Sequence, residues 1–162
     1  MPERAAPKRA AAEPGAPEPR SPGIVLGFDF GQRRIGVACG ESVSRTASPL
    51  GIVPVGSQGP RWDAIDALMR AWRPSSVVVG LPYSVDGSES AVTGAARRFA
   101  REFGARYKTS VQLVDERYSS LEAETRLKEA RESGLRKRRV AKADVDATAA
   151  CIIVERWLTK TT

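Results

Sequence analysis

The chain has 162 residues, enough for one domain with a buried core, and its 41% hydrophobic and 28% charged residues are ordinary for a globular protein. Its formal net charge of +7 favours an anionic partner, such as nucleic acid or a membrane surface. The complete absence of histidine excludes Ser-His-Asp and Cys-His nucleophile pairs and histidine-based zinc sites, so hydrolytic chemistry would depend on carboxylates, Lys, Tyr or a metal ion.

Residues 1–22 are mainly Ala, Pro, Glu and Arg, with almost no large apolar side chain. Such a segment cannot bury enough surface to offset the entropy lost on ordering, so we predict a disordered tail over 1–22 and one folded domain over 23–160. The sequence has neither an apolar signal region nor a run of ~18 apolar residues that could span a bilayer. Cys39 and Cys151 lack metal-ligand spacing and are expected to be reduced thiols, as in a cytoplasmic protein.

The folded part is predicted to begin with three strands, by composition and length. Their segments are IVLGFDF from Ile24, then RRIGVACG, and then ASPLGIVPV. Three short strands in succession predict an antiparallel meander.

Helices and strands alternate in the rest of the chain. Helical spacing of apolar residues over 61–73 predicts a helix, in which Trp62 and Trp72 fit a buried face better than a base-stacking platform. SVVVGL is then typical of a strand buried on both faces. A second helix is predicted from about Ala91 to Phe103, ended by Gly104.

The strand VQLVDE follows, and two helices complete the chain. The first is predicted to open at Ser119, which has capping-box spacing to Glu122, and to stop near Gly134. The second is predicted over about Asp144–Leu158. This order predicts an α/β fold with a mixed five-stranded sheet, a three-strand antiparallel meander plus two parallel strands, flanked by helices. RNase H-like domains and the halves of actin-like ATPases both have this layout.

Asp29 is an acid inside a predicted strand, where Asp is disfavoured. Alternation places Gly27, Asp29 and Gly31 on one face, so the acid has room beside it for a metal ion or a phosphate close to the backbone. The alternative is an Asp that caps the following turn. Because an unpaired buried carboxylate is costly, we interpret Asp29 as functional.

Two further pairs of acids stand at the ends of predicted elements. Asp115 and Glu116 close a strand at the sheet edge where α/β proteins tend to bind ligands, and only one of them can face a given site. Asp144 is interpreted as a helix cap, although it stays open as a ligand. Asp146 is the preferred ligand, because it shares a helical face with the small residues Ala149 and Ala150, which would let the helix approach the sheet closely.

Carboxylates from distant segments repel each other at close range unless a cation compensates. Mg²⁺ and Mn²⁺ prefer oxygen ligands, and a pair of such ions can activate water and neutralise the leaving oxygen in phosphodiester cleavage without any histidine. The loop LRKRRVAK precedes the last helix. A charge run is usually solvated, but this one is well placed to contact phosphates. The predicted nucleic-acid contacts are Arg33, Arg34, Arg136, Lys137, Arg138, Arg139 and Lys142.

Six motifs are similar to those of one known family, in the same order and spacing. They are LGFDFGQRRIGVA, SPL, VVVGLPYSVDGSES, RRFA, VDERYSS and KADVDATAACIIVERWL, which are spread over the whole stretch from residue 26 to residue 158. The chain thus resembles the YqgF/RuvX family of the RNase H-like superfamily. The resemblance implies a divalent-metal nuclease in the bacterial cytoplasm, acting in maturation of the 5′ end of 16S rRNA or in resolution of DNA junctions.

The acidic residues of that family correspond here to Asp29 in DFG, Glu116 in DER and Asp146 in VD. The resemblance therefore implies that these three are the catalytic and metal-binding residues. The cofactor that it implies is a pair of Mg²⁺ or Mn²⁺ ions. Tyr118 and Ser119 depart from the usual Leu and Thr of the motif, but neither change removes a carboxylate.

Three functions stay open at this point. The first is a metal-dependent nuclease acting on structured RNA or DNA. The second is a nucleic-acid binding module that keeps the fold without catalysis. The third is an actin-like ATPase, which needs two such domains where this chain provides one. The choice between RNA and DNA, and between monomer and homodimer, cannot be made from these residues.

Overall fold

The computed structural model describes residues 23–83, 86–115, 119–132 and 142–160, and within these ranges it contains six strands and four helices. In chain order they are β1 Ile24–Phe30, β2 Arg34–Glu41, β3 Thr46–Gly56, β4 Gly59–Pro60, α1 Trp62–Trp72, β5 Ser76–Leu81, α2 Ala91–Tyr107, β6 Val111–Asp115, α3 Ser119–Glu132 and α4 Lys142–Lys160. The predicted tail over 1–22 lies outside the described residues. None of the helices in these ranges is long and apolar enough to cross a membrane.

The strands form one mixed sheet in the order β4-β3-β2-β1-β5-β6. β1 to β4 pair antiparallel, whereas β5 and β6 extend the sheet parallel to β1. This arrangement confirms the predicted α/β fold with a three-strand meander plus two parallel strands. The short β4 is an addition, since two turn-forming residues carry no compositional signal of a strand.

One face of the sheet packs against α1 and α2 through an aromatic core. Phe28 of β1 contacts Phe99 and Phe103 of α2, with ring centroids 5.9 and 5.2 Å apart. Trp62 of α1 stacks on Phe99 at 5.6 Å, and Trp72 packs against the same cluster. The two tryptophans therefore pack into the core, as predicted.

The opposite face of the sheet is covered by α4, which lies across β1, β2 and β3. Val25 of β1, Val78 of β5 and Val114 of β6 are buried there together with Ile153 of α4. Helix α3 packs in turn on α4, where Ala123 is buried. The sheet thus lies between α1 and α2 on one side and α4 on the other, with α3 outside α4.

The end of α2 differs from the prediction. The helix continues through Gly104 to Tyr107, and it ends where Lys108 adopts left-handed backbone with φ 50° and donates its N–H to the Gly104 carbonyl. The prediction was wrong because aromatic packing extends past the glycine: the rings of Phe103 and Tyr107 lie 4.7 Å apart. An aromatic contact contributes about 0.5–1.5 kcal/mol, which offsets the roughly 0.5–1 kcal/mol that a glycine costs inside a helix.

The start of α4 also differs from the prediction. The helix begins at Lys142, so Asp144 lies in its first turn and is not its cap. An acid is favourable in the first turn as well as at the cap, so Asp144 did not fix the boundary. Helix α3 begins at Ser119, as predicted, but the Ser119 side chain and the predicted stop at Gly134 lie outside the described residues.

Candidate active site

Asp29 lies on the central strand β1 and pairs with a glycine on each side, Gly36 of β2 and Gly80 of β5. Its neighbour Phe28 is buried towards α1 and α2, so alternation places Asp29 on the face that α4 covers. Asp29 is partly buried. The sequence predicted room for a ligand beside Asp29, because the residues two positions before and after it in the chain are glycines. The strand pairing places two more glycines beside it, one on each neighbouring strand.

Gly36 also marks a close approach of α4 to the sheet. A Cβ on Gly36 would overlap the backbone carbonyl oxygen of Asp146 and would lie 3.1 Å from the amide nitrogen of Ala147. Only a glycine allows the helix backbone to lie this near a strand. Because Gly36 pairs with Asp29 and touches Asp146, it brings two of the predicted acids to one place on the α4 face of the sheet.

The alanines near Asp146 on α4 divide between two clusters. Ala150 faces the sheet, as predicted, and its carbonyl oxygen would lie 3.4 Å from a Cβ on Gly27. Ala149 is buried instead with Ala123 of α3. Of the two alanines, only Ala150 therefore lies against the sheet, and Ala149 packs against α3.

Asp146 forms an ion pair with Arg34, the first residue of β2. Arg34 Nε donates to Asp146 Oδ2 at 2.8 Å, and the two side chains are 30% and 22% exposed. Arg34 lies two residues before Gly36 and so shares its face of the sheet. The sequence predicted Arg34 only as a nucleic-acid contact, and the ion pair with a predicted metal ligand was missed.

Glu116, the third predicted acid, lies outside the described residues. The chain is described up to Asp115, the last residue of β6. Val114, which is level with Asp29 in the sheet through Gly80, is buried on the α4 side. Alternation therefore places the Asp115 side chain on the face opposite to Asp29.

The chemistry of the two described acids fits a hard divalent cation. Asp29 and Asp146 offer carboxylate oxygens, which Mg²⁺ and Mn²⁺ prefer, and both are only partly buried beside residues without side chains. In the part of the chain that the structure describes, no three Asp, Glu or Cys side chains form a group that could hold a metal ion. The predicted set of three includes Glu116, which is outside that part.

Of the predicted nucleic-acid contacts, the structure describes the side chains of Arg33 and Arg34 only. Arg33 is exposed in the connection between β1 and β2, next to the ion-paired Arg34. Lys142 opens α4, but its side chain lies outside the described residues, as do the four basic residues of the preceding loop, Arg136, Lys137, Arg138 and Arg139.

The sheet with its two helical faces is an α/β fold of the RNase H-like type. The structure is similar to Thermus thermophilus RuvC bound to a Holliday junction, with a TM-score of 0.53 and 16% identity over 86% of this chain and 95% of that one. A second structure of T. thermophilus RuvC matches with a TM-score of 0.51 and 17% identity over 85% of this chain and 95% of that one.

Sequence comparison defines the family. The family model RuvX, described as "Holliday junction resolvase", matches residues 23–160. Relatives from Legionella pneumophila and Xanthomonas oryzae are 44% and 46% identical, over 84% of this chain and 95% and 87% of their own lengths; both carry the name "Putative pre-16S rRNA nuclease". The chain belongs to the RuvX family. This confirms the resemblance seen in the motifs and favours the resolvase-like architecture over half of an actin-like ATPase.

Proposed function

We propose that this chain is a metal-dependent endonuclease that hydrolyses phosphodiester bonds in structured nucleic acid, with the 5′ end of precursor 16S rRNA as its substrate in the bacterial cytoplasm. The observation that supports this proposal is that Gly36 pairs with Asp29 in the sheet and lies against the backbone of Asp146. The choice of substrate is supported by the names of the bacterial relatives.

In this proposal Asp29, Glu116 and Asp146 hold two Mg²⁺ or Mn²⁺ ions. When bound, such ions activate water and neutralise the charge of the leaving oxygen. Asp29 is fixed by a central strand paired on both sides, and Asp146 by a helix whose backbone rests on the sheet. Rigid elements of this kind hold ligands at defined positions, which catalysis needs.

In this proposal the basic residues bind the phosphates of the substrate. A formal net charge of +7 draws a polyanion to the protein. Arg33 lies exposed in the connection that follows Asp29, so it can contact phosphates beside the proposed metal ligands. The basic residues from Arg136 to Lys142 precede Asp146 in the chain, and we propose that they extend this surface. The protein would act as a monomer or as a homodimer.

The test is a cleavage assay on two substrates side by side, a precursor 16S rRNA and a four-way DNA junction, with Mn²⁺ or with EDTA. We expect wild-type protein to cut the RNA only with the metal, and Asp29→Asn to lose about 100-fold or more of the rate. Asp63→Asn is the matched control, since it removes the same charge from α1, where the side chain is 70% exposed.

The outcomes separate the candidate functions. Cleavage by Asp29→Asn at the wild-type rate would defeat the site. Preferred cleavage of the DNA junction would favour the second candidate, a Holliday junction resolvase, which the description of the family model supports. Binding of either substrate without cleavage, under every metal tried, would leave a nucleic-acid binding module.

A further inference from the structure

The ion pair between Arg34 and Asp146 places a cation on a proposed metal ligand. The guanidinium and the carboxylate meet at 2.8 Å, and they do so on the face of the sheet that carries Asp29. A divalent ion that bound through Asp146 Oδ2 would compete with Arg34 for that oxygen. Neither side chain is sealed from solvent, with 30% and 22% exposed, so ions and phosphates can reach the pair.

We infer that Arg34 and the divalent cation compete for Asp146, and that cation binding releases the Arg34 guanidinium to bind a phosphate of the nucleic acid. The inference rests on the proposed function, in which Asp146 is a metal ligand. Before the cation binds, Arg34 neutralises the charge of the Asp146 carboxylate. After the cation has bound, Arg34 contacts a phosphate of the substrate. A planar guanidinium suits both partners, because it matches the geometry of carboxylate and phosphate.

Two consequences follow from the competition. Removing the charge of Arg34 removes the competitor, so the affinity for the cation rises. In the wild-type protein, cation and nucleic acid strengthen each other's binding, because each favours the state in which Arg34 has left Asp146; the coupling must be equal in both directions. Without Arg34 this part of the coupling disappears.

The first measurement is a titration of the full chain with Mn²⁺ alone, read from the electron paramagnetic resonance of free Mn²⁺, so that no activity is involved. We expect Arg34→Gln to lower the Kd for Mn²⁺ by about two- to fivefold, as for the loss of an ion pair of up to about 1 kcal/mol. Arg33→Gln is the matched control, because it removes the same charge from the adjacent, exposed residue. We expect its Kd to change by less than about twofold.

Asp146→Asn separates failure of the inference from failure of the proposed function. If Asp146→Asn weakens Mn²⁺ binding while Arg34→Gln leaves it unchanged or weaker, the metal site stands and the competition is refuted. If Asp146→Asn binds Mn²⁺ as the wild type does, both proposals fail. Circular dichroism spectra that match the wild type establish that the variants are folded.

The second measurement is the affinity for precursor 16S rRNA in the presence and absence of Ca²⁺, used in place of Mn²⁺ to bind without supporting cleavage. We expect Ca²⁺ to tighten wild-type binding by a larger factor than it tightens binding by Arg34→Gln. Equal factors for the two proteins would overturn the inferred release of Arg34 to phosphate.

Discussion

Replacing Gly36 with alanine is the sharpest perturbation of the proposed site that leaves every charged group in place. The added Cβ would overlap the carbonyl oxygen of Asp146 and crowd the amide nitrogen of Ala147 at 3.1 Å. Both are backbone atoms of α4, which cannot rotate away as the end of a side chain can. We therefore expect Gly36→Ala to lower the free energy of unfolding by about 1–3 kcal/mol, the usual cost of overpacking.

The same change should separate Asp146 from Asp29. A misplacement on the order of 1 Å at a catalytic centre can cost about 100-fold in rate. Gly36→Ala should thus cleave about 100-fold more slowly, and it should bind Mn²⁺ more weakly although both acids remain. Stability is measured by urea denaturation, and Mn²⁺ binding by titration.

Gly94→Ala is the matched control for Gly36→Ala. Gly94 lies within α2, and a Cβ there meets no other heavy atom within 4 Å. We expect this variant to gain about 0.5–1 kcal/mol, because alanine is preferred to glycine inside a helix, and to cleave normally. If Gly36→Ala unfolded at the wild-type urea concentration and bound Mn²⁺ equally well, the close approach of α4 would be refuted.

Three further predictions concern the core. Phe103→Ala should cost about 3–5 kcal/mol in urea denaturation, because it empties the centre of the aromatic cluster; a loss below ~1 kcal/mol would contradict that packing. Thr93→Val should cost about 1–3 kcal/mol, since the buried hydroxyl donates to the Pro82 carbonyl at 2.6 Å and that acceptor would lose its donor; an unchanged midpoint would count against the bond. Burial raises the pKa of the Cys151 thiol from 9.0 to about 12. The contribution of this thiol to stability is therefore fully present below pH 9 and is lost as the pH rises towards 12, so Cys151→Ala should flatten the fall of Tm over that range. An identical fall of Tm in both proteins would refute the raised pKa.

The fold could be predicted because its elements carry local signals. IVLGFDF and SVVVGL have the composition of strands, and the helical spacing after Arg61 is regular. Local signals failed where packing decided: a glycine at 104 suggested a helix end, but the contact between Phe103 and Tyr107 carries α2 past it.

The site could be predicted in part for the same reason. Asp29 is conspicuous as an acid in a strand between glycines, which a single segment reveals. The roles of Gly36 and Arg34 depend on the register between β1 and β2 and on where α4 lies, and neither is encoded in a short stretch of sequence. The roles of these two residues therefore became visible only from contacts between distant segments of the chain.

The proposed convergence of three carboxylates on divalent cations is tested most directly by locating Mn²⁺ in crystals, from its anomalous scattering. We predict a Mn²⁺ peak within coordination distance of Asp29, Glu116 and Asp146 together. A crystal that contains Mn²⁺ elsewhere, or one in which Glu116 lies apart from the other two acids, would contradict the proposed active site.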